Sequence, residues 1–312
     1  MAKRVLMALS TAPLALVGCS SSQSDLPIDP PTSVTMVTTG GFSAPTDAVV
    51  SPDGKTFYFA AYDDQKEPAI FQVSSEPGST AEVLAVGAPL AHPTGLVLSC
   101  DGATLYVADM AAEQSEEIEL GAIFALPIAG GALTDLAASG IARPAGLAMA
   151  ADCKTLGITG RAEDGRAAVF SMSTDGGAAS ITFAGDPLVS PTGLHIDNDG
   201  VRWVMDHLAD GANGEGVLFA IPADGSAATE VASDLRMGTP GGVSLTAGGG
   251  TAVMPTLDKS GNAQLTSVNI ATGEVTQLAA PAMTDPAGLR TARKAGVFAV
   301  VDSEAGAIYR AE

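Results

Sequence analysis

From Val34 onward the apolar positions come in short bursts separated by turn residues, and no 3.6-residue apolar period appears after the first 20 residues. This pattern predicts short strands and almost no helix. The bursts recur in a fixed phrase. It reads Pro93-Thr94-Gly95-Leu96, then an apolar strand, an Asp101-Gly102 turn, and a second apolar strand ending at Asp109. The phrase starts again at Pro45, Pro144, Pro191, Pro240 and Pro286, at steps of 48, 51, 47, 49 and 46 residues in chain order. A near-constant step holding four short strands predicts the blades of a β-propeller. The expected fold is all-β, a six-bladed β-propeller with four-stranded antiparallel blades.

The strand count also predicts how the ring closes. Third strands are expected at 69–73, 121–127, 167–172, 216–222, 263–269 and 306–310. Outer strands are expected at 82–86, 133–137, 180–184, 229–232 and 275–279. Six third strands thus face only five outer ones, and the chain stops at Glu312, just after the sixth third strand. Residues 34–38, followed by Gly40-Gly41, have the spacing of the missing outer strand. They are expected to pair with the C-terminal blade, which hides an edge behind backbone hydrogen bonds. The other reading is a stray N-terminal strand covering a different edge. The glycine of Pro-x-Gly fits inner strands that converge on the axis, where a Cβ would crowd the neighbouring backbone. In the first blade Asp47 takes this place.

Residues 1–18 read as an address. Lys3 and Arg4 precede an apolar run over 5–17, too short to span a bilayer comfortably. Leu16-Val17-Gly18-Cys19-Ser20 resembles the bacterial lipoprotein lipobox. The resemblance implies lipidation of Cys19 and an anchor in the bacterial cell envelope, with Ser20 after the cysteine favouring the outer membrane. The alternative is an ordinary secretory signal with a chance cysteine. Residues 19–33 are polar and proline-broken and read as a flexible tether. Its reach is at most roughly 50 Å at about 3.3–3.6 Å per residue. Residues 34–312 form the propeller.

Composition narrows the partners. Fifteen basic against 35 acidic residues give a net charge of −20. Such a surface repels phosphate backbones, so no nucleic-acid partner is expected. The expected state is a monomer, in contact with the membrane through its anchor and with a protein or small-molecule ligand that the sequence does not name. Cys100 and Cys153 fall in equivalent hairpin turns of adjacent blades and are expected to form a disulfide, the alternative being two thiols too far apart.

Chemistry is expected where the loops entering the inner strands and leaving the second strands share one mouth. The second strands of blades two, four and six end in Asp109, Asp206 and Asp302. With Asp47 near the axis, these four are candidate ligands for calcium or another divalent cation, which takes several oxygens. The competing reading is that the aspartates cap turns by accepting loop amides. His207, beside Asp206, is the candidate acid or base, while His195 reads as a core residue. The loop 110–120, with four glutamates, is the candidate docking loop for a protein.

The repeats, together with the run Val300-Val301-Asp302-Ser303-Glu304-Ala305-Gly306-Ala307-Ile308-Tyr309-Arg310, resemble the gluconolactonase/regucalcin-like and NHL-type six-bladed propellers over residues 34–312. In the gluconolactonase group a divalent metal is held by a glutamate before the first blade's proline, asparagines on later inner strands, and an aspartate. Here Ser43-Ala44 precede Pro45, and the asparagine positions hold Thr94, Ala145 and Thr192. Only Asp206 or Asp302 matches. The first functional reading is therefore a lipid-anchored binding or scaffold module, and the second a metal-dependent hydrolase or lactonase.

Overall fold

The computed structural model describes residues 26, 29–112, 120–210, 215–239 and 241–312. Among these residues there are 24 strands and no helix. They form six four-stranded antiparallel sheets, the blades of a six-bladed β-propeller. Cys19 and Pro240, with residues 113–119 of the candidate docking loop, lie outside the described residues.

Five blades use four consecutive strands each, and the sixth is built from both chain ends. Val34–Thr39 pairs with Ala307–Ala311, with Val34 opposite Ala311 and Thr39 opposite Ala307. The ring therefore closes as its strand count predicts. The amides of Thr32 and Ser33 both donate to Glu312 O, at 2.7 and 2.9 Å, so the pairing extends into the stretch read as tether. One outer strand is shorter than expected. In blade two it covers only Thr134–Asp135, because Ala137 adopts a φ of 50° and donates its amide to the Asp135 carboxylate.

Apolar residues on both faces of each blade build six clusters, one between each pair of neighbours. The cluster at the seam between blades six and one is the most aromatic. It holds Phe42, Phe57, Phe59 and Phe71 against Ala299, Val301 and Ile308. Phe59 stacks on Phe71 at 5.1 Å, and Phe42 meets Phe59 edge-on at 4.7 Å. The place where the ring could open thus carries extra aromatic contacts. Between blades two and three a covalent link is added. Cys100 and Cys153 form the expected disulfide, with Cα atoms 5.6 Å apart.

At the axis the inner strands touch. A Cβ on Gly95 would lie 1.9 Å from Ala145 O, and one on Gly146 would lie 2.0 Å from Thr192 O. Hydrogen bonds, most of them from side chains, then stitch each inner strand to the next. Thr46 Oγ1 donates to Pro93 O, and Thr94 Oγ1 to Pro144 O. Blade three has Ala145 in that place, and Thr159 substitutes from the second strand by donating to Thr192 O. Thr192 Oγ1 donates to Gly241 O, and the Gly242 amide to Ala287 O. The step from blade six back to blade one is made by an ion pair.

Candidate functional site

Two residues past the phrase's proline, five blades carry glycine and blade one carries Asp47. Four residues past it stand Val49, Val97, Ala148, His195, Ser244 and Arg290. The two charged departures meet on the axis. Arg290 Nη2 lies 3.4 Å from Asp47 Oδ2 and donates to Leu147 O of blade three at 3.2 Å. Its Nη1 donates to Val243 O of blade five and to Leu289 O, both at 3.1 Å. One guanidinium therefore ties blades one, three, five and six. Asp47 adds blade two, because its Oδ2 accepts the Leu96 amide at 2.9 Å. Only 7% of Arg290 and 3% of Asp47 is exposed. Burial pushes the Asp47 carboxyl above its ordinary value, while Arg290 and the amides of Leu96 and Ala48 pull it down.

Arg290 borders a cavity on each side, so the axis is a channel divided by its own side chain. The upper cavity, about 290 Å³, opens where the inner strands begin. Its polar lining includes Asp47, Arg161, Arg290, His92 and His207. The two histidines are held differently. Tyr62 Oη and His92 Nδ1 are 2.6 Å apart. His207 Nδ1 is 3.0 Å from Ser190 O, a carbonyl that can only accept, so Nδ1 carries the proton. That leaves His207 Nε2 with no hydrogen bond among the described residues. Arg161 donates to Gly165 O at 2.9 Å and Val189 O at 3.1 Å, and pairs with no carboxylate among the described residues.

The candidate metal ligands are not gathered here. Asp47 reaches the upper cavity, but Asp109, Asp206 and Asp302 do not line it, and all three are fully buried. In register each faces a proline: Pro93, Pro191 and Pro286. A proline has no amide to donate. The carboxylate instead reaches the two amides upstream. Asp109 accepts from Ala91 and His92 at 2.8 and 2.9 Å, and Asp206 from Val189 and Ser190 at 2.8 and 2.9 Å. Asp302 accepts from Thr284 and Asp285 at 2.5 and 3.1 Å. Each also takes an amide two or three residues further on, from Ala111, Leu208 or Ala305. With three amides apiece, these oxygens are occupied by the protein, as the turn-capping reading has it. Among the described residues the metal-compatible cluster is elsewhere, at Asp210, Glu215 and Asp234 on blade four.

The lower cavity, about 230 Å³, lies among the hairpin turns. Leu26, Val97, Leu194 and His195 help line it, with Arg293 at its edge. Burial, reinforced by the like charges of Arg290 and Arg293, pushes the His195 imidazole down to about 3. His195 is thus a neutral residue beneath the plug, 3.4 Å from Ser244 Oγ.

Neither a protein-family model nor a curated protein matches this chain. Solved structures do resemble it. A chain in the crystal structure of a nidogen/laminin complex superposes with a TM-score of 0.59 at 17% identity, covering 75% of this chain and 82% of that one. A putative TolB from Agrobacterium tumefaciens gives 0.56 at 17% identity, covering 86% and 91%. TolB from Acinetobacter baumannii gives 0.51 at 12% identity, covering 87% and 64%. At these identities the likeness is one of fold, the β-propeller.

Proposed function

We propose that this chain is a binding module of the bacterial cell envelope, anchored through a lipid on Cys19, with its ligand site in the upper mouth. The observation that carries this reading is the open cavity of about 290 Å³ above the Asp47–Arg290 floor. Its size sits near the lower end of small-molecule pockets, which run roughly 300–1,000 Å³. Loops from several blades supply its polar groups, the arrangement that lets one rigid ring present a shaped site. A binding role fits better than metal-dependent hydrolysis, because three of the four candidate ligand carboxylates are engaged with backbone amides away from the cavity. The structural neighbours agree with a propeller that binds other molecules, one of them being part of a nidogen/laminin complex.

The test is a thermal-shift screen of polar small molecules against the wild type and an Ala145→Trp variant, whose indole fills the cavity. A ligand of the native state raises the thermal midpoint by mass action. The proposal expects compounds that stabilise the wild type and not the variant. Compounds acting equally on both, or none at all, would defeat it. Anchoring is tested separately: Cys19→Ser should move the protein from the membrane fraction to the soluble fraction.

A further inference from the structure

The upper mouth is a basic site on an acidic protein. The chain carries a net charge of −20. Yet the titratable side chains lining this cavity are three arginines and two histidines, with Asp47 the one acid among the described residues. Asp47 is already paired within the protein. Its Oδ1 accepts the Ala48 amide at 3.0 Å, and its Oδ2 accepts the Leu96 amide and lies 3.4 Å from Arg290 Nη2. Arg290 Nε, by contrast, is a buried donor with no acceptor among the described residues. The floor is thus short of acceptors, not of donors. Arg161 extends the same logic to the wall, since it uses carbonyls alone as partners and keeps its charge uncompensated among the described residues.

Resting on the binding reading above, we propose that the upper mouth takes a small organic monocarboxylate. Arg161 supplies the charge on one wall, and Arg290 closes the floor. His92 and His207 face the ligand from blades two and four, each with Nδ1 already engaged by Tyr62 or Ser190. A guanidinium suits a carboxylate because its planar fork matches the two oxygens. One negative charge is favoured over two, because the acidic surface opposes the approach of a dianion more strongly. The rest of the ligand meets Met110, Ala145 and Pro191, so an apolar body is accommodated.

The chain has only three histidines, and they report both sides of the plug: His92 and His207 above it, His195 below. The experiment follows their imidazole Cε1–H signals in protein labelled with ¹³C-histidine, at constant ionic strength. The probes are benzoate, acetate, inorganic phosphate and neutral benzyl alcohol. Benzoate and acetate should move His92 and His207 saturably and leave His195 in place. Arg161→Gln should raise the dissociation constant for benzoate at least tenfold, and Arg161→Lys, which keeps the charge without the fork, by less. If Arg161→Gln fails to fold, the wild-type titrations and Arg161→Lys decide alone. Three outcomes overturn the proposal: no saturable response to either carboxylate, an equal response to benzyl alcohol, or tighter binding of phosphate. In each case the binding reading stands or falls on the thermal-shift screen, whose ligands need not be charged.

Discussion

On the lower face, the hairpin turns of blades two and three are joined by the Cys100–Cys153 bond, and the cavity between the turns is lined by Leu26, Leu194 and a neutral His195. On the upper face no such covalent tie is seen among the described residues. There, Asp109, Asp206 and Asp302 each gather amides of the loop entering an inner strand. Both faces cap their turns with carboxylates, as Asp101 and Asp152 do below, but among the described residues only the lower face joins two blades covalently. The lower adds a covalent staple between two blades to the capping of its turns, while the upper relies on carboxylate–amide bonds that draw in the loop before each inner strand. Charge-assisted bonds of this kind are directional, so they fix where a loop runs without filling the space it encloses. A face that must present a cavity gains from that.

This contrast can be broken from either side, and the largest effect is expected below. Replacing both Cys100 and Cys153 with serine frees a loop with a sequence separation of 53. On chain-entropy grounds it should cost about 4 kcal/mol in urea unfolding. The upper mouth should be untouched, with unchanged His92 and His207 signals in the folded variant.

Above, Asp206→Ala leaves the amides of Val189, Ser190 and Leu208 without their acceptor. The expected loss is about 3 kcal/mol, from buried donors left unpaired. Faster hydrogen exchange should appear at those amides, while the turn of Cys153 remains protected. Calcium should stabilise the wild type and Asp206→Ala equally, because the carboxylate serves the loop; a calcium-induced rise in midpoint that vanishes in the variant would show that Asp206 is a ligand after all.

The smallest effect concerns acid. His195 is held at about 3 in the native state against a reference value of 6.5. Above about 6.5 both folded and unfolded chains keep this imidazole neutral, and it contributes no pH dependence. As pH falls from there toward 3, the unfolded chain takes up a proton that the native state refuses. Stability is then lost with a slope of at most about 1.4 kcal/mol per pH unit. Since His195 borders the lower cavity and is not sealed from it, the measured slope should lie below that limit. Comparing urea unfolding at pH 7 and pH 5, His195→Val should flatten the difference.

Much of the ring was legible in the chain. The proline spacing set the blade count, and the missing outer strand placed 34–38 against the C-terminal blade, as the Val34–Ala311 register confirms. Equivalent turn positions also paired Cys100 with Cys153. The mouth was less legible. Asp109, Asp206 and Asp302 stand out by type and spacing, but whether their oxygens face the axis or the loops depends on register. The clue was that each stands opposite the phrase's own proline, whose missing amide leaves the carboxylate free to reach upstream. Arg290 was not anticipated. Its signal lay in the position four past each proline, where Val49, Val97 and Ala148 give way to His195, Ser244 and Arg290. A charge at an apolar register is a request for a partner, and Asp47, the residue that replaces glycine, answers it.

The division of the channel by that pair is what separates the two faces, and a double-mutant cycle on Asp47 and Arg290 tests it most directly. Asp47→Gly and Arg290→Val each restore the residue found in other blades, yet each leaves the other charge buried alone. Each single change should cost about 3–5 kcal/mol in urea unfolding. The double variant should be more stable than either single, giving a coupling of a few kcal/mol. Additive losses, with the double variant the least stable of the three, would contradict the account.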